Sequence, residues 1–535
     1  MAQRNNRNRM AGLFPLLAAA VCAFAQTSPP PASVSGVVTN SVTGAPVLRA
    51  HVTLCVFANN GQRTYGALTN GEGKFTIAPL PPGRYNASVE RVGFVERPSS
   101  DMGRSRDMNL GPGDKREDLQ LTLTPTGAIS GRVLDPGGEP VPGCSVSAES
   151  DAGGAASATT DDRGQFRIGG MAPGKYRILA SPVSLPIPPE IRTDGTRDVH
   201  LARSWYPSSL DRKSAQRVDV GAAGDVTGID IHLVETPVVS VSGKVIGGPE
   251  GRTTLQVRSI DGYGVGGGPV MANGSFRLWR LDPGKYTLFA ATQGFGPDRL
   301  QSAPLDIEVA ATDIEHVELR MIPPFEISGQ LDFDDDGARQ MPQMPVRPGQ
   351  QQSAPKRRVM LGPAEDNSSY SPGSMQQVEV GADDSFTLEK VPPGRYRLRV
   401  SWGSYVKSVR QGPTETEGDI LDVRNGPNGP LTLRVGSVMA EVSGTVADSG
   451  GPASGVPVAL LLDAPGIRVQ LSTVTDKDGV YRFQSVTPGK YWLLAAGDDI
   501  ISQIRRSEDA DEFKDIVEVI EVHAGDKLTQ NLTRR

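Results

Sequence analysis

Four groups of residues in this chain have types and spacings that could do chemistry. His232-Leu233-Val234-Glu235 spells a His-x-x-Glu pair, the arrangement by which a zinc hydrolase offers two ligands from one segment. The surrounding residues, Ile229-Asp230-Ile231-His232-Leu233, alternate as a strand does, and on a strand a three-residue offset sends two side chains to opposite faces. One metal ion is then out of reach of both. The chain has only five histidines, His-Glu-x-x-His is absent, and no Gly-x-Ser-x-Gly elbow offers a serine nucleophile. Gly262-Tyr263-Gly264-Val265-Gly266-Gly267 spells Gly-x-Gly-x-x-Gly, but a dinucleotide site needs a helix after it, and here Pro269 and strand-like residues follow. A loop is expected there.

Asp332-Phe333-Asp334-Asp335-Asp336-Gly337 is the sharpest chemical signal, because Asp332, Asp334 and Asp336 followed by glycine open like a calcium loop. Gln343 stands where the closing bidentate carboxylate is needed. An acidic turn is the preferred reading and a weak Ca2+ site the alternative; no other cofactor is suggested. The fourth group is aromatic: Trp205 and Tyr206, with Trp402 and Tyr405, are the candidates for platforms on which a sugar ring could stack. With four tryptophans in the chain, packing within or between modules is the competing and preferred reading.

The elements that would position these residues follow from composition and repetition. The 535 residues are too many for one core; 37% are hydrophobic and 22% charged, as in an ordinary soluble protein. With 62 glycines and 43 prolines but no Gly-x-y period, many short strands joined by turns are expected. The net charge of −6 comes from interspersed signs, which points away from nucleic acid. Arg4, Arg7 and Arg9, then the apolar stretch from Ala11 to Ala23, then Ala23-Phe24-Ala25, read as a signal peptide cleaved before Gln26. Residues 26–33 then form a linker, and no later segment reaches transmembrane length. Two cysteines remain, Cys55 and Cys144, in different repeats and therefore without an intramodular disulfide.

Set against itself, the chain repeats five times. A strand opens with Ser35-Gly36, Ser130-Gly131, Ser242-Gly243, Ser328-Gly329 and Ser443-Gly444. A later strand is introduced by Pro-Gly-[Arg/Lys]-Tyr, ending at Tyr85, Tyr176, Tyr286, Tyr396 and Tyr491. Before each comes a polar turn and an aromatic residue: Phe75, Phe166, Phe276, Phe386 and Tyr481. Strands of this length with turns at short intervals argue for sandwiches rather than βαβ units. The expected fold is all-β: five immunoglobulin-like or transthyretin-like β-sandwich modules in tandem after the signal peptide. Their bounds are 34–124, 125–236 with a long tail, 237–323 in degenerate form, 324–437, and 438–535. The Pro/Gln/Arg-rich stretch at about 338–358 reads as a disordered insertion in the fourth.

Gly138 to Gly143 (Gly-x-Pro-Val-Pro-Gly), Thr160 to Phe166 (Thr-Asp-x-x-Gly-x-Phe) and Pro173 to Tyr176 together resemble the carboxypeptidase regulatory-like domain. The fifth copy, with Gly455-Val456-Pro457-Val458 and Thr475 to Tyr481, matches nearly as well. The resemblance implies a transthyretin-like sandwich, also grouped with carbohydrate-binding-like folds, in an accessory role beside peptidases, outer-membrane receptors and surface proteins. The function expected is non-catalytic and exported (periplasmic, cell-surface or extracellular): a structural, adhesive or partner-presenting array. Carbohydrate binding through loop-end aromatics is the alternative, and an accessory subunit of a peptidase or outer-membrane transport system ranks third. A polysaccharide or an envelope protein is the expected partner, and the oligomeric state is left open.

Overall fold

A computed structural model describes residues 30–534 apart from 59–60, 97–106, 151–154, 184–189, 191, 260–263, 295–298, 335–355, 365–374, 402, 464–469, 498–499, 502–503, 505–512 and 514. The segment expected as a signal peptide, its Cys22, and nearly all of the stretch expected as an insertion at 338–358 lie outside the described residues. The chain forms several β-sandwich modules drawn from ten sheets. The described residues form two compact units, one of residues 30–92 with 107–123 and a second that contains the rest.

One pairing scheme recurs in all five repeats. The Ser-Gly strand pairs antiparallel with the strand that carries the Phe/Tyr residue, and parallel with the repeat's closing strand. In the first repeat Ala32–Asn40 pairs with Lys74–Leu80 on one side and Lys115–Pro125 on the other. The second pairs Gly127–Leu134 with Gln165–Met171, and with the short pieces Asp225–Val226 and Ile231–His232. The same arrangement holds Ser240–Ile246, Phe325–Phe333 and Ala440–Asp448 in the later repeats. A second sheet is built on the strand introduced by Pro-Gly, as where Gly174–Ser181 pairs antiparallel with Ser145–Ser150.

The alternation in sequence becomes alternation in burial. Along Ala32–Asn40 every second residue through Val38 is buried. In the second repeat Ile129, Val133, Val146, Phe166, Ile168 and Ile178 meet in one core; the third, fourth and fifth repeats each have their own. Two departures from alternation have local causes. In the fifth repeat Leu461, Trp492 and Leu494 face away from the main core and are covered by Ile501, Ile504, Phe513 and Val517. Both faces of that sheet are therefore buried, which explains the unbroken apolar run Val458-Ala459-Leu460-Leu461-Leu462. Gly264–Pro269, expected as a loop, is an edge strand paired with Thr253–Ser259. Glycine lacks a side chain to announce a strand, so ladder hydrogen bonds alone reveal it.

Three recurring residues are explained by what they touch. Each tyrosine of the Pro-Gly motif is buried and donates its hydroxyl to the carbonyl four residues back: Tyr85 to Pro81, Tyr176 to Ala172, Tyr286 to Asp282, Tyr396 to Pro392 and Tyr491 to Thr487, at 2.6–2.8 Å. The bond closes the Pro-Gly turn over the ring. Burial pushes the phenols of Tyr85, Tyr176, Tyr396 and Tyr491 upward, so they stay neutral donors. The threonine before the polar turn is buried at Thr69, Thr160 and Thr475. Its hydroxyl accepts from the backbone N–H of Ala50, Cys144 or Val456 and donates to the carbonyl of Val47, Val141 or Ala453. In the third and fourth repeats the aligned residues are Val270 and Val380, and that clamp is missing.

The Ser-Gly glycine is required by close backbone approach. A Cβ placed on Gly36, Gly131, Gly243 or Gly444 would fall on the carbonyl oxygen of Leu119, Ile229, Val317 or Gln530 in the closing segment. In the fourth repeat a Cβ on Gly329 would meet the Phe386 ring instead. A backbone carbonyl held in a ladder cannot step aside as a flexible side chain can. Gly131→Ala is therefore expected to destabilise the second repeat by about 3 kcal/mol. Hydrogen exchange will show it as lost protection across 127–181, with protection across 441–534 unchanged.

Candidate functional site

The most elaborate polar constellation lies where the tail of the second repeat meets the third. In the tail, Val199–Ala202 pairs antiparallel with Val234–Pro237, and alternation turns His200 inward while Leu201 stays half-exposed. His200 reaches the turn that precedes Pro283-Gly284-Lys285-Tyr286. Its Nε2 lies 3.0 Å from Asp282 Oδ1, and Arg203 Nε donates to Asp282 Oδ2 at 2.7 Å. The three side chains are 6%, 27% and 14% exposed for His200, Arg203 and Asp282. The Asp282 backbone carbonyl accepts the Tyr286 hydroxyl, so one residue serves the turn through its backbone and the junction through its side chain.

A second acidic residue is held beside it. Asp198, 10% exposed, has Arg280 at 3.8 Å and Arg192 at 3.6 Å, and accepts from the Glu190 backbone N–H at 2.8 Å. Its backbone carbonyl takes the N–H of Val238, the residue leading into the third repeat. Burial by itself would raise the Asp282 carboxyl; the hydrogen bonds from His200 and Arg203 and their charge outweigh it and hold the group below its ordinary range. The sequence does not single out Asp282 by motif. The signal is a comparison: the positions preceding the other four Pro-Gly turns carry Pro81, Ala172, Pro392 and Thr487, none of them charged.

The residues singled out from sequence fall elsewhere. Trp205 is 4% exposed and pairs through its backbone with Leu179, so its indole offers no open face for a sugar. Tyr206 is half-buried against the core of its own repeat. Neither of these two candidates is an exposed platform. Trp402 lies outside the described residues. Tyr405 is half-buried and lies over Gly436, where an added Cβ would meet its ring at 3.0 Å.

Asp332 sits exposed on the strand Phe325–Phe333. Asp334 binds Lys407 Nζ and, at 2.6 Å, Arg434 Nη2. Those two hydrogen bonds, Lys407 first, pull the Asp334 carboxyl below its usual range. Asp336 lies outside the described residues. Where a calcium ion was considered, two side-chain cations hold Asp334, and the described residues contain no group of three His, Cys, Asp or Glu side chains able to hold a metal. His232 and Glu235 are both exposed and belong to different sheets, His232 beside Leu134 and Glu235 opposite Leu201. Among the described residues no helix is long and apolar enough to cross a membrane.

The buried threonine clamp is found in the first, second and fifth repeats. Residues 33–124, 128–185 and 441–534 match the carboxypeptidase regulatory-like domain. These regions fall in three of the repeats and together span less than half of the chain. The two repeats left unmatched are those in which valine replaces the clamping threonine. No curated protein matches the chain. Among solved structures, the Bacillus anthracis TIE protein overlaps 54% of this chain at 13% identity and a TM-score of 0.17, and the overlap spans 51% of that protein's length. The minor pilin GBS52 of Streptococcus agalactiae overlaps 38% of this chain and 97% of its own, at 16% identity and a TM-score of 0.22. BcpA, the major pilin subunit of Bacillus cereus, overlaps 76% and 98% at 11% identity and a TM-score of 0.14. At such scores these overlaps carry no functional weight.

Removing the Asp282 carboxylate takes the Nε2 partner from buried His200 and the carboxylate from half-buried Arg203, so Asp282→Ala is expected to cost about 3 kcal/mol at the junction. Because the folded-state carboxyl is depressed, this contribution is present above its ordinary value of 3.8 and is lost as pH falls through the lower folded value. The unfolding difference between the native chain and Asp282→Asn should narrow as pH falls below 3.8. A gap that persists undiminished at acid pH would contradict the assignment.

The two thiols should separate cleanly. Cys144 is fully buried, and burial pushes its thiol up to about 12; Cys55 is half-exposed beside Thr64 Oγ1. A thiol reagent at pH 8 is expected to label Cys55 in the native chain and Cys144 only after denaturation, read by peptide mass.

Proposed function

We propose that this chain is a non-catalytic, exported array of five transthyretin-like β-sandwich modules that spaces or presents binding surfaces at the cell envelope. The module bounds are 34–124, 125–236, 237–323, 324–437 and 438–535. The observation that carries the reading is the way one repeat passes into the next. Val234–Pro237 is followed after two residues by Ser240–Ile246, and Ile314–Ile322 after two by Phe325–Phe333. Leu431–Gly436 is followed after three by Ala440–Asp448. Connections this short restrict rotation between neighbours, and the His200–Asp282–Arg203 cluster adds side-chain restraint at one of them. The polar constellations bind cation to carboxylate within the protein, which is the chemistry of holding a shape. Export rests on the charged, apolar and small-residue pattern of residues 1–25.

The glycan alternative is weakened, since Trp205, one of its candidate residues, is buried. A polypeptide partner is therefore the preferred ligand class. Fractionation of cells making the full chain tests the reading. The expected result is an extracytoplasmic protein whose first residue is Gln26. A cytoplasmic protein with residues 1–25 intact would overturn the envelope role, and retention on insoluble polysaccharide that is lost in Trp402→Ala would restore the glycan reading.

A further inference from the structure

The third repeat lacks a piece that the first, second and fifth keep, and the gap has a defined shape. In the first, second and fifth repeats a turn after the opening strand carries a proline that packs on the glycine of the polar turn. A Cβ on Gly73, Gly164 or Gly479 would meet Pro46, Pro140 or Pro452 Cβ at 2.9, 3.0 or 3.1 Å. The next residue then donates its backbone N–H to the opening strand: Val47 to the carbonyl of Val38, Val141 to Val133, and Ala453 to Val446, each at 2.9 Å. These three opening-strand residues also donate their own N–H to the carbonyls of Gly73, Gly164 and Gly479.

In the third repeat Val245 donates in the same way to the Gly274 carbonyl at 2.8 Å. On a strand the N–H and C=O of one residue point to the same side, so the Val245 carbonyl faces the place where a Pro-Val segment sits elsewhere. Around the position of a Cβ on Gly274, the atoms within 4 Å belong to Val245 alone. The connection is shorter. Ser-Gly glycine to the first residue of the second strand, aligned through the tyrosine register, runs Gly36 to Ala50, Gly131 to Cys144 and Gly444 to Val456, but only Gly243 to Thr253. A cleft of about 160 Å³ opens at this point, with Val245, Val270, Met271, Gly274, Gly248 and the connection's own Pro249 among its lining residues. Met271 is 58% exposed at its lip. Cavities that enclose a small organic ligand are usually about 300–1,000 Å³, so this one suits one or two side chains of a polypeptide.

We propose that the cleft of the third repeat binds, in trans, a turn of a partner protein in which proline is followed by a small aliphatic residue. The proline packs on Gly274 and Met271, and the following N–H donates to the Val245 carbonyl, as Pro140 and Val141 do within the second repeat. This names a partner class for the presenting role above and depends on that role only for where the partner is met.

The probe is a fluorescent hexapeptide with the sequence of residues 138–143, Gly-Glu-Pro-Val-Pro-Gly, titrated with the full chain from residue 26. Saturable anisotropy with a Kd on the order of 1 mM or tighter is expected, as for a short flexible peptide that must be ordered on binding. Replacing the first proline of the peptide by alanine should weaken binding at least about fivefold. Two variants locate the site. In one, residues 247–251 are replaced by the sequence of residues 135–142, which restores the second repeat's spacing and fills the cleft; binding should vanish. The other, Met271→Glu, changes only an exposed side chain and should weaken binding by a similar factor. No saturable binding, equal binding of the alanine peptide, or undiminished binding by both variants overturns the proposal. Self-association of the chain that the filled variant abolishes would assign the cleft to a second copy and overturn it also. None of these outcomes bears on where the chain resides, so failure here and failure of the envelope reading are separable.

Discussion

Everything in a repeat depends on the parallel contact between its first strand and its last. That contact brings a carbonyl of the closing segment against the Ser-Gly glycine so closely that no Cβ fits at Gly36, Gly131, Gly243 or Gly444. It joins the two ends of about a hundred residues of chain, and the remaining strands are then sorted around it. The Phe/Tyr strand takes the other edge of the opening strand, and the tyrosine strand seeds the second sheet. The tyrosine hydroxyl fixes the turn between those two strands, and the threonine clamp fixes the turn that begins the second. Without the first contact, the others would close local loops without closing a domain.

Much of this was legible because each device consists of one residue type at one place. A glycine that must stay bare, a tyrosine reaching four residues back and a threonine with two backbone partners each leave a letter that recurs. The arrangement of strands followed from alternation, which works wherever one face is wet. It did not reveal Gly264–Pro269, where glycines carry no pattern, and it did not explain Val458–Leu462, whose second face is covered by Ile501, Ile504 and Phe513. Packing was the preferred reading for the aromatic candidates, but which of them is covered, as Trp205 is with 4% of its surface exposed, depends on what folds over it. The polar junction was invisible because Asp282, His200 and Arg203 are far apart in the chain and belong to no motif.

Repeats two and three show how a repeated fold acquires individuality. The turn before the tyrosine motif is structurally indifferent to its side chain, since the tyrosine needs only a backbone carbonyl. That freedom is what allows a carboxylate at Asp282 to be committed to a neighbour. Two repeats carry Val270 and Val380 in place of the clamping threonine, and the third has a shorter connection after its opening strand.

The parallel pairing of first and last strands carries a mechanical consequence. Parallel neighbours run the same way, so the chain enters a repeat at one end of this pair and leaves it at the other. Tension applied along the polypeptide would pull the two strands past each other lengthwise, loading the bonds between Val34–Asn40 and Arg116–Leu123 together rather than one after another. Antiparallel terminal strands would instead be peeled apart from one end. Each repeat is thus wired to resist stretching through the very contact that closes its fold, and the bare glycine is what lets that joint seat fully.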